Sequence, residues 1–284
     1  MGEDVFHAGE RRAQALAGFA VKGAPIRDFM TDQHRVFFGQ LPILFVGVGD
    51  DRGWPVATVV TGAPGFVSSP DAVTLRVGAG LAAADWGVVR EGAGIGLLGL
   101  EFATRRRNRA NGVVSAVMSE AFFVEVRQSF GNCPQYIQTR APVAAGGAAG
   151  EVEALAGLEA VREMIEGADT LFVASRAEGE QGGFDVSHRG GRPGFVGIEG
   201  DALVIPDYRG NRYFNTFGNL LADERAGLLF VDFETGDLLQ VQGRAAISWG
   251  EERVLRVAVT RASLRRAALP VRWQLESYAP ELVG

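Results

Sequence analysis

The stretch DVSHRGGRPGFVGIEGDALVIPDYRGNRYFNTFGN, Asp185–Asn219, packs glycines, arginines and asparagines between short apolar runs. Parts of it recur upstream in a plainer form. PGFV stands at Pro64–Val67 and again at Pro193–Val196, and AVTLRV at Ala72–Val77 resembles DALVIP at Asp201–Pro206. LPILFVGVGD (Leu41–Asp50) answers ADTLFVASRA (Ala168–Ala177). GLLGLEFAT (Gly96–Thr104) nearly matches GLLFVDFET (Gly227–Thr235), after which Gly112 answers Gly243. Four matches in one order, offset by 127 to 131 residues, predict two copies of one structural unit.

Within the second unit, Val152, Leu155, Leu158, Val161 and Ile165 recur at helical spacing and predict a helix over Glu151–Glu166. A helix is expected to open the first unit too. Strands are expected at Thr170–Ser175, Gly194–Ile198, Ala202–Ile205, Gly227–Phe233 and Leu238–Ile247, where apolar residues run between glycine-rich turns. ETGD, Glu234–Asp237, reads as a hairpin turn. Five or six short antiparallel strands per unit fit a small barrel. The run APVAAGGAAG, Ala141–Gly150, is small and uncharged and marks a linker. The expected organisation is a first unit over 1–140, a linker at 141–152 and a second unit over 153–284. No GxGxxG follows a strand and opens a helix, and the P-loop pattern is absent, which disfavours both nucleotide folds.

Composition narrows the function. The 284 residues are 47% hydrophobic and 22% charged, as in a soluble globular protein. A net charge of −6 argues against a broad nucleic-acid surface, although Arg105, Arg106, Arg107 and Arg109 form a local exception. The single cysteine, Cys133, allows no internal disulfide. His7, His34 and His188 are too scattered for a zinc-ligand pattern, so no metal site is expected. The start, MGEDVFHAGERR, lacks the apolar run of a signal peptide, and glycines and charges interrupt every apolar run before membrane-spanning length. A cytoplasmic location without membrane contact is the expectation.

SHRGGRPGFV (Ser187–Val196), IPDYRGNRYFNTFGNLL (Ile205–Leu221) and AGLLFVDFETGDLLQVQGRA (Ala226–Ala245) resemble the FMN-binding split barrel of the pyridoxamine 5'-phosphate oxidase-like proteins. The likeness is strongest to a flavin-nucleotide-binding branch. That branch also carries FHAGE (Phe6–Glu10), TRRRNR (Thr104–Arg109) and QSFGNCPQYIQ (Gln128–Gln138). The resemblance covers nearly the whole chain but does not import the substrate of the vitamin-making oxidase. It implies a mainly β (α+β) fold of two tandem six-stranded-type antiparallel split barrels with flanking helices. The barrels would pair as a pseudo-dimer within one chain, with flavin in the cleft between them.

That resemblance gives the opening stretch a physical reading. Flavin phosphate is a dianion and needs cations and unblocked backbone N–H groups. Arg189 offers the guanidinium fork, and Gly190, Gly191 and Gly194 let backbone approach closely. The resemblance lays Ser187–Phe195, including His188 and Pro193, along the phosphate and ring. It places Ile205, Pro206 and Asp207 at a strand end bordering the flavin, and makes Gly210, Asn211 and Arg212 a second phosphate-binding turn. Asn215 and Asn219 begin a helix-like stretch whose N-terminus favours an anion. From the first unit, Gln128, Ser129 and Asn132 are expected to cross over and donate to the ring carbonyls or the phosphate, with Tyr136 stacking or packing. Cys133 has no histidine near it in sequence and reads as a packed small residue. The first unit has VVTGAPGFV and VGAGLAAADWG at the matching places, without the arginines and asparagines, so one competent site per chain is expected.

Strand alternation after the hairpin puts Asn108 and Ala110 inside the first barrel and turns Arg107 and Arg109 outward together, towards the cleft. There they are expected to meet an anionic substrate, a nicotinamide-cofactor phosphate or interface carboxylates of the second unit. Arg105 and Arg106 are expected in the turn, in solvent. Three functions remain open. One is an FMN-dependent oxidoreductase using NAD(P)H and a small acceptor, with no catalytic side chain assigned. Another is a flavin-binding electron relay served by a separate reductase. The third is a split barrel that has lost flavin and binds haem or another partner.

Overall fold

The computed structural model describes residues 4–78, 87–145, 148–179, 181–210 and 212–283. The chain opens with α1 (Ala8–Leu16), whose capping box joins the His7 side chain to Gly9 N and the Glu10 carboxylate to His7 N. Helix α2 (Asp32–Gly39) follows, capped by Thr31. Then come β1 (Ile43–Gly49), β2 (Pro55–Thr61), β3 (Val67–Ser68), β4 (Thr74–Val77), β5 (Gly94–Glu101), β6 (Arg106–Val117) and β7 (Phe122–Asn132). They form an antiparallel sheet ordered β2-β1-β5-β6-β7-β4-β3. Strand β8 (Thr139–Ala145) leaves the first unit.

The second unit runs β9 (Val152–Leu155), α3 (Arg162–Gly167), β10 (Thr170–Ala177), β11 (Gly183–Gly190), β12 (Gly197–Glu199), β13 (Ala202–Pro206), α4 (Asn215–Ala222), β14 (Arg225–Val231), β15 (Leu238–Trp249), β16 (Arg253–Arg265) and β17 (Val271–Ser277). Its sheet is ordered β11-β10-β14-β15-β16-β13-β12, the same permutation as the first. Each sheet has a bulge at the same place, between Asn111 and Gly112 and between Gln242 and Gly243. A Cβ on Gly112 would stand 2.0 Å from Glu125 O, and one on Gly243 2.4 Å from Ala258 O, so only glycine fits either bulge.

The units pack through matched residues, which makes the chain a pseudo-dimer of split barrels. Phe45 of β1 and Phe172 of β10 occupy equivalent positions and stack with ring centroids 3.6 Å apart. Around them one buried cluster draws on both units, including Val59, Leu98 and Phe102 from the first and Val186, Leu229 and Phe233 from the second. Strand β8 pairs antiparallel with β17, so the ends of the two units are tied together.

Three expectations need correction. The predicted helix over Glu151–Glu166 is split: Val152–Leu155 is a strand paired with β16, and helix begins only at a short 3-10 turn, Glu159–Val161, before α3. The apolar spacing fits a helix, but the edge of β16 supplies backbone partners that override it. The strand expected at Gly194–Ile198 begins only at Gly197, as β12, and β11, which covers Asp185–Gly190, is a strand outside those expected. The expected linker, 141–152, starts inside β8 and ends on the first residue of β9, with 146 and 147 outside the described residues. Helix α1 belongs to the first unit by sequence, but its Ala13 is buried with the core of the second. Among the described residues no helix is long and apolar enough to cross a membrane.

Candidate functional site

Strand β11 organises the cleft because its alternate residues serve two surfaces. Val186 and His188 face the unit–unit core, where the His188 ring meets Phe172 edge-on at 5.7 Å. Asp185, Ser187 and Arg189 face the other way. The Ser187 hydroxyl is hydrogen-bonded to the Thr216 hydroxyl on α4, and the Arg189 guanidinium lies 5.6 Å from the Phe217 ring.

Beyond Arg189 opens a cleft with two lobes that share Arg189, Tyr208 and Gly210. The outer lobe encloses about 540 Å³, including space open to solvent, and is strongly cationic. Arg109, Arg189, Arg209, Arg212 and Arg253 line it, offset by Asp207 alone among the carboxylates of its lining. Arg253 Nε donates to Asp207 at 2.9 Å, and Arg189 Nη2 lies 3.9 Å from the other Asp207 oxygen. Arg212 sits over the Phe19 ring at 4.3 Å. The N-terminus of α4 enters this lobe with Asn215 and Thr216, and no side chain caps its first turn. Arg212 and Phe214 hold positive φ, 64° and 61°, a conformation that costs roughly 1–3 kcal/mol each for a non-glycine residue.

The inner lobe, about 400 Å³, lies where the first unit crosses to the second. Tyr136, itself at φ 62°, stacks on Tyr208 at 5.1 Å, and its carbonyl presses on Gly190, where a Cβ would stand only 2.0 Å from that oxygen. Arg107 Nη1 donates to His188 Nδ1 at 3.1 Å, and Arg107 Nη2 lies 3.5 Å from Cys133 Sγ. Burial, then the nearby Arg107, Arg189 and Arg140 charges, hold His188 well below the ordinary histidine range. The ring is therefore neutral. With Nδ1 accepting, the proton sits on Nε2, a buried donor that no atom of the described residues satisfies. Burial pulls Arg107 down to about 10.

Between the lobes the units are locked by a buried ion pair. Arg109 Nη1 donates to Asp185 Oδ2 at 2.6 Å, and Asn111 Nδ2 donates to Asp185 Oδ1 at 3.2 Å. Arg107 and Arg109, expected to act together, are thus divided: Arg107 lines the inner lobe, while Arg109 borders the outer lobe with its guanidinium bound to a carboxylate of the second unit. Asn108 and Ala110 are buried as expected. Arg105 departs from its expected place in solvent. It holds φ 56° and donates to Ile137 O at 2.9 Å and to Ser277 Oγ at 2.8 Å, which fixes the turn against β17. Arg106 is exposed, over Phe37.

The other candidates are spread more widely. Phe195 and Pro206 line the inner lobe. Ile205 is in the second unit's core. Gly191 N donates to Asp169 O, behind the strand end. Pro193 and Gly194 are exposed, and Pro193 borders a separate cavity beside the Arg140–Asp169 ion pair. From the first unit, Ser129 bonds to His34 at 2.8 Å, and Gln128 contacts Asn111 and donates to Gln181 O. Asn132, half-buried at the end of β7, keeps an unsatisfied Oδ1. None of these three lines either lobe. Asn211 lies outside the described residues, as does 79–86, the first-unit counterpart of the turn expected to bind phosphate. Sequence reasoning missed Arg253, Thr216, Phe19 and Asp185. Arg253 and Asp185 are single charges whose place depends on strand pairing, and Phe19 depends on where α1 docks.

Residues 158–273 match the family model described as pyridoxamine 5'-phosphate oxidase. Among solved structures, an FAD-binding protein from Mesorhizobium loti is 14% identical over 40% of this chain and 97% of its own, with a TM-score of 0.30. The haem storage protein HutZ from Vibrio cholerae is 12% identical over 39% of this chain and 95% of its own, with a TM-score of 0.29. Likenesses this distant carry no argument about activity. No curated protein matches the sequence.

Proposed function

The chain belongs to the pyridoxamine 5'-phosphate oxidase-like split-barrel proteins through its residues 158–273, and from that premise we propose that it is an FMN-binding oxidoreductase. The observation that carries this reading is the outer lobe, where five guanidiniums, one of them the ion-paired Arg109, and an uncapped helix N-terminus converge on one opening. A phosphate monoester dianion is the ligand group that such a donor set suits. The residues present fit FMN: Arg189, Arg212 and the first turn of α4 would hold the phosphate. The inner lobe, with its stacked tyrosines and the orphaned Nε2–H of His188, would receive the ring. The outer lobe accounts for one phosphate group, which favours FMN over FAD, for which the described residues offer no Rossmann-type adenine site.

FMN bound here would supply hydride and electron transfer between a reduced nicotinamide donor and a small acceptor. The chain's own part is to bind, orient and set the field. Arg107 keeps the inner lobe positive. His188 stays neutral and offers a hydrogen bond rather than a proton. Tyr136 covers the lobe from the first unit, so both barrels build one site. A cytoplasmic location follows from the same reading, since reduced nicotinamides are held there.

The test is to purify the protein, record its spectrum, denature it and identify the released molecule by mass spectrometry. FMN supports the reading, and haem or FAD as the main ligand overturns it. NADH or NADPH oxidation without an added reductase then separates an enzyme from an electron relay.

A further inference from the structure

The N-terminal helix is fitted onto the mouth of the second unit's cleft. Gly9 of α1 and Gly218 of α4 lie so close that a Cβ on Gly9 would stand 2.3 Å from Gly218 O, and one on Gly218 2.6 Å from Glu10 Cα. Only paired glycines permit that approach. Polar ties surround it. His7 Nε2 meets Asn219 Oδ1 at 2.9 Å, and Gln14 Nε2 donates to Tyr213 O at 3.2 Å. Asn215 Nδ2 donates to Glu10 Oε1, while Glu10 Oε2 accepts from His7 N at 2.9 Å. Further along, Phe19 stacks on Phe214 at 6.0 Å and becomes part of the outer-lobe wall.

Glu10 is 4% exposed, and among the described residues no guanidinium hydrogen-bonds to its carboxyl. Its partner Asn215 lines the outer lobe at the first position of α4. An amide has one donor end and one acceptor end. While its NH2 is held by a carboxylate, Asn215 has less to offer an anion in the lobe.

We propose that Glu10 is a positioning residue for the cofactor cleft: as a carboxylate it holds the Asn215 NH2 away from the outer lobe, and as a neutral acid it releases that NH2 to an oxyanion bound there. The proposal rests on the flavin reading for its ligand, a phosphate monoester. It predicts that the oxyanion and a proton on Glu10 bind together. Burial, reinforced by Asp185, pushes the Glu10 carboxyl up to about 7 against the opposing Asn215, His7 N and Arg109, so the exchange falls near neutral pH. The titratable and charged groups facing Glu10 are His7 at the cap of α1, Arg11 on its next turn, Arg109 of β6 and Asp185 of β11. Helix α4 contributes only the amides of Asn215 and Asn219.

The test is the dissociation constant of FMN at pH 6.0 and pH 8.0 for the wild type, Glu10→Gln and Asn215→Ala, with the melting temperature of each apo protein measured alongside. One proton taken up near pH 7 weakens binding by up to about tenfold from pH 6 to pH 8. The phosphate's own second ionisation near 6 is common to all three proteins and cancels in the comparison. The wild-type ratio of the two constants is expected to exceed that of Glu10→Gln by about five- to tenfold, and Asn215→Ala is expected to match Glu10→Gln. Riboflavin, which lacks the phosphate, is expected to show no such difference. Equal ratios in wild type and Glu10→Gln overturn the proposal, as does a full pH effect surviving in Asn215→Ala. If Glu10→Gln fails to fold, Asn215→Ala decides alone. If the wild type binds no FMN at either pH, the flavin reading fails, and inorganic phosphate, followed by melting temperature at the same two pH values, decides the Glu10 proposal.

Discussion

Arg109→Ala is expected to loosen the joint between the two barrels. The side chains of Arg109 and Asp185 are 9% and 5% exposed and meet at 2.6 Å, so neither salt nor water screens them well. Removing the arginine leaves the Asp185 charge buried with one short contact, from Asn111. Breaking a buried pair on one side costs about 3–5 kcal/mol. Arg109 Nε has no partner, so the pair is not fully satisfied and the lower end applies. About 3 kcal/mol corresponds to a fall in Tm of roughly 6–12 °C at 2–4 °C per kcal/mol for chains approaching this size. Urea denaturation followed by circular dichroism gives the free energies for Arg109→Ala, Asp185→Ala and the double variant. The double variant is expected to be less destabilised than the sum of the singles by at least about 1 kcal/mol. Arg106→Ala, on the exposed side of the same cluster, should stay within about 0.5 kcal/mol of wild type. Additive effects, or an Arg109→Ala cost below about 1 kcal/mol, would show that the pair does not join the units.

Further outcomes follow from the cleft. Arg189→Ala and Arg212→Ala should each weaken FMN binding about ten- to a hundredfold with little change in apo Tm, because a charge-assisted hydrogen bond is worth about 1.5–3 kcal/mol; unchanged affinity in both would move the phosphate elsewhere. Gly190→Ala drives a Cβ into the Tyr136 carbonyl and should cost about 1–3 kcal/mol and displace the crossing segment, whereas Gly157→Ala, with nothing within 4 Å, should be tolerated; equal tolerance of the two would refute the close approach. For His188 the folded pKa is depressed, so between that value and the unfolded value near 6.5 the unfolded chain binds more protons. Stability should therefore fall as pH drops below about 6.5, and His188→Gln should flatten that loss in urea midpoints measured between pH 7.5 and 5; an identical slope in the variant would place the titration on another group.

The parts of this fold that were legible in the sequence are those where local pattern and tertiary demand agree. The matched strands and the glycines at 112 and 243 stand out because a bulge tolerates only glycine in both units. Helix α4 was marked by its asparagines and by the phosphate-friendly turn before it. Strand β11 was hidden because Ser187, His188, Arg189 and Gly190 look like turn residues. They form a strand because each polar side chain finds a partner across the interface or on α4. Val152–Leu155 looked helical because its apolar spacing of three fits a helix, and pairing with the edge of β16 overrides that local pattern. The division of labour between Arg107 and Arg109 was beyond sequence, since both share one strand face and differ only in what the second unit sets opposite them. The docking of α1 on α4 depends on Gly9 meeting Gly218, two residues more than two hundred positions apart.

The central claim is one phosphate-bearing flavin held in one asymmetric cleft. Titrating the apo protein with FMN, following quenching of flavin fluorescence, and identifying the ligand of the native protein by mass spectrometry together test it most directly. The account predicts FMN as the native ligand and saturation at about one equivalent per chain, with affinity weakened about ten- to a hundredfold in Arg189→Ala. FAD or haem as the native ligand, saturation near two equivalents, or no binding at all would contradict it.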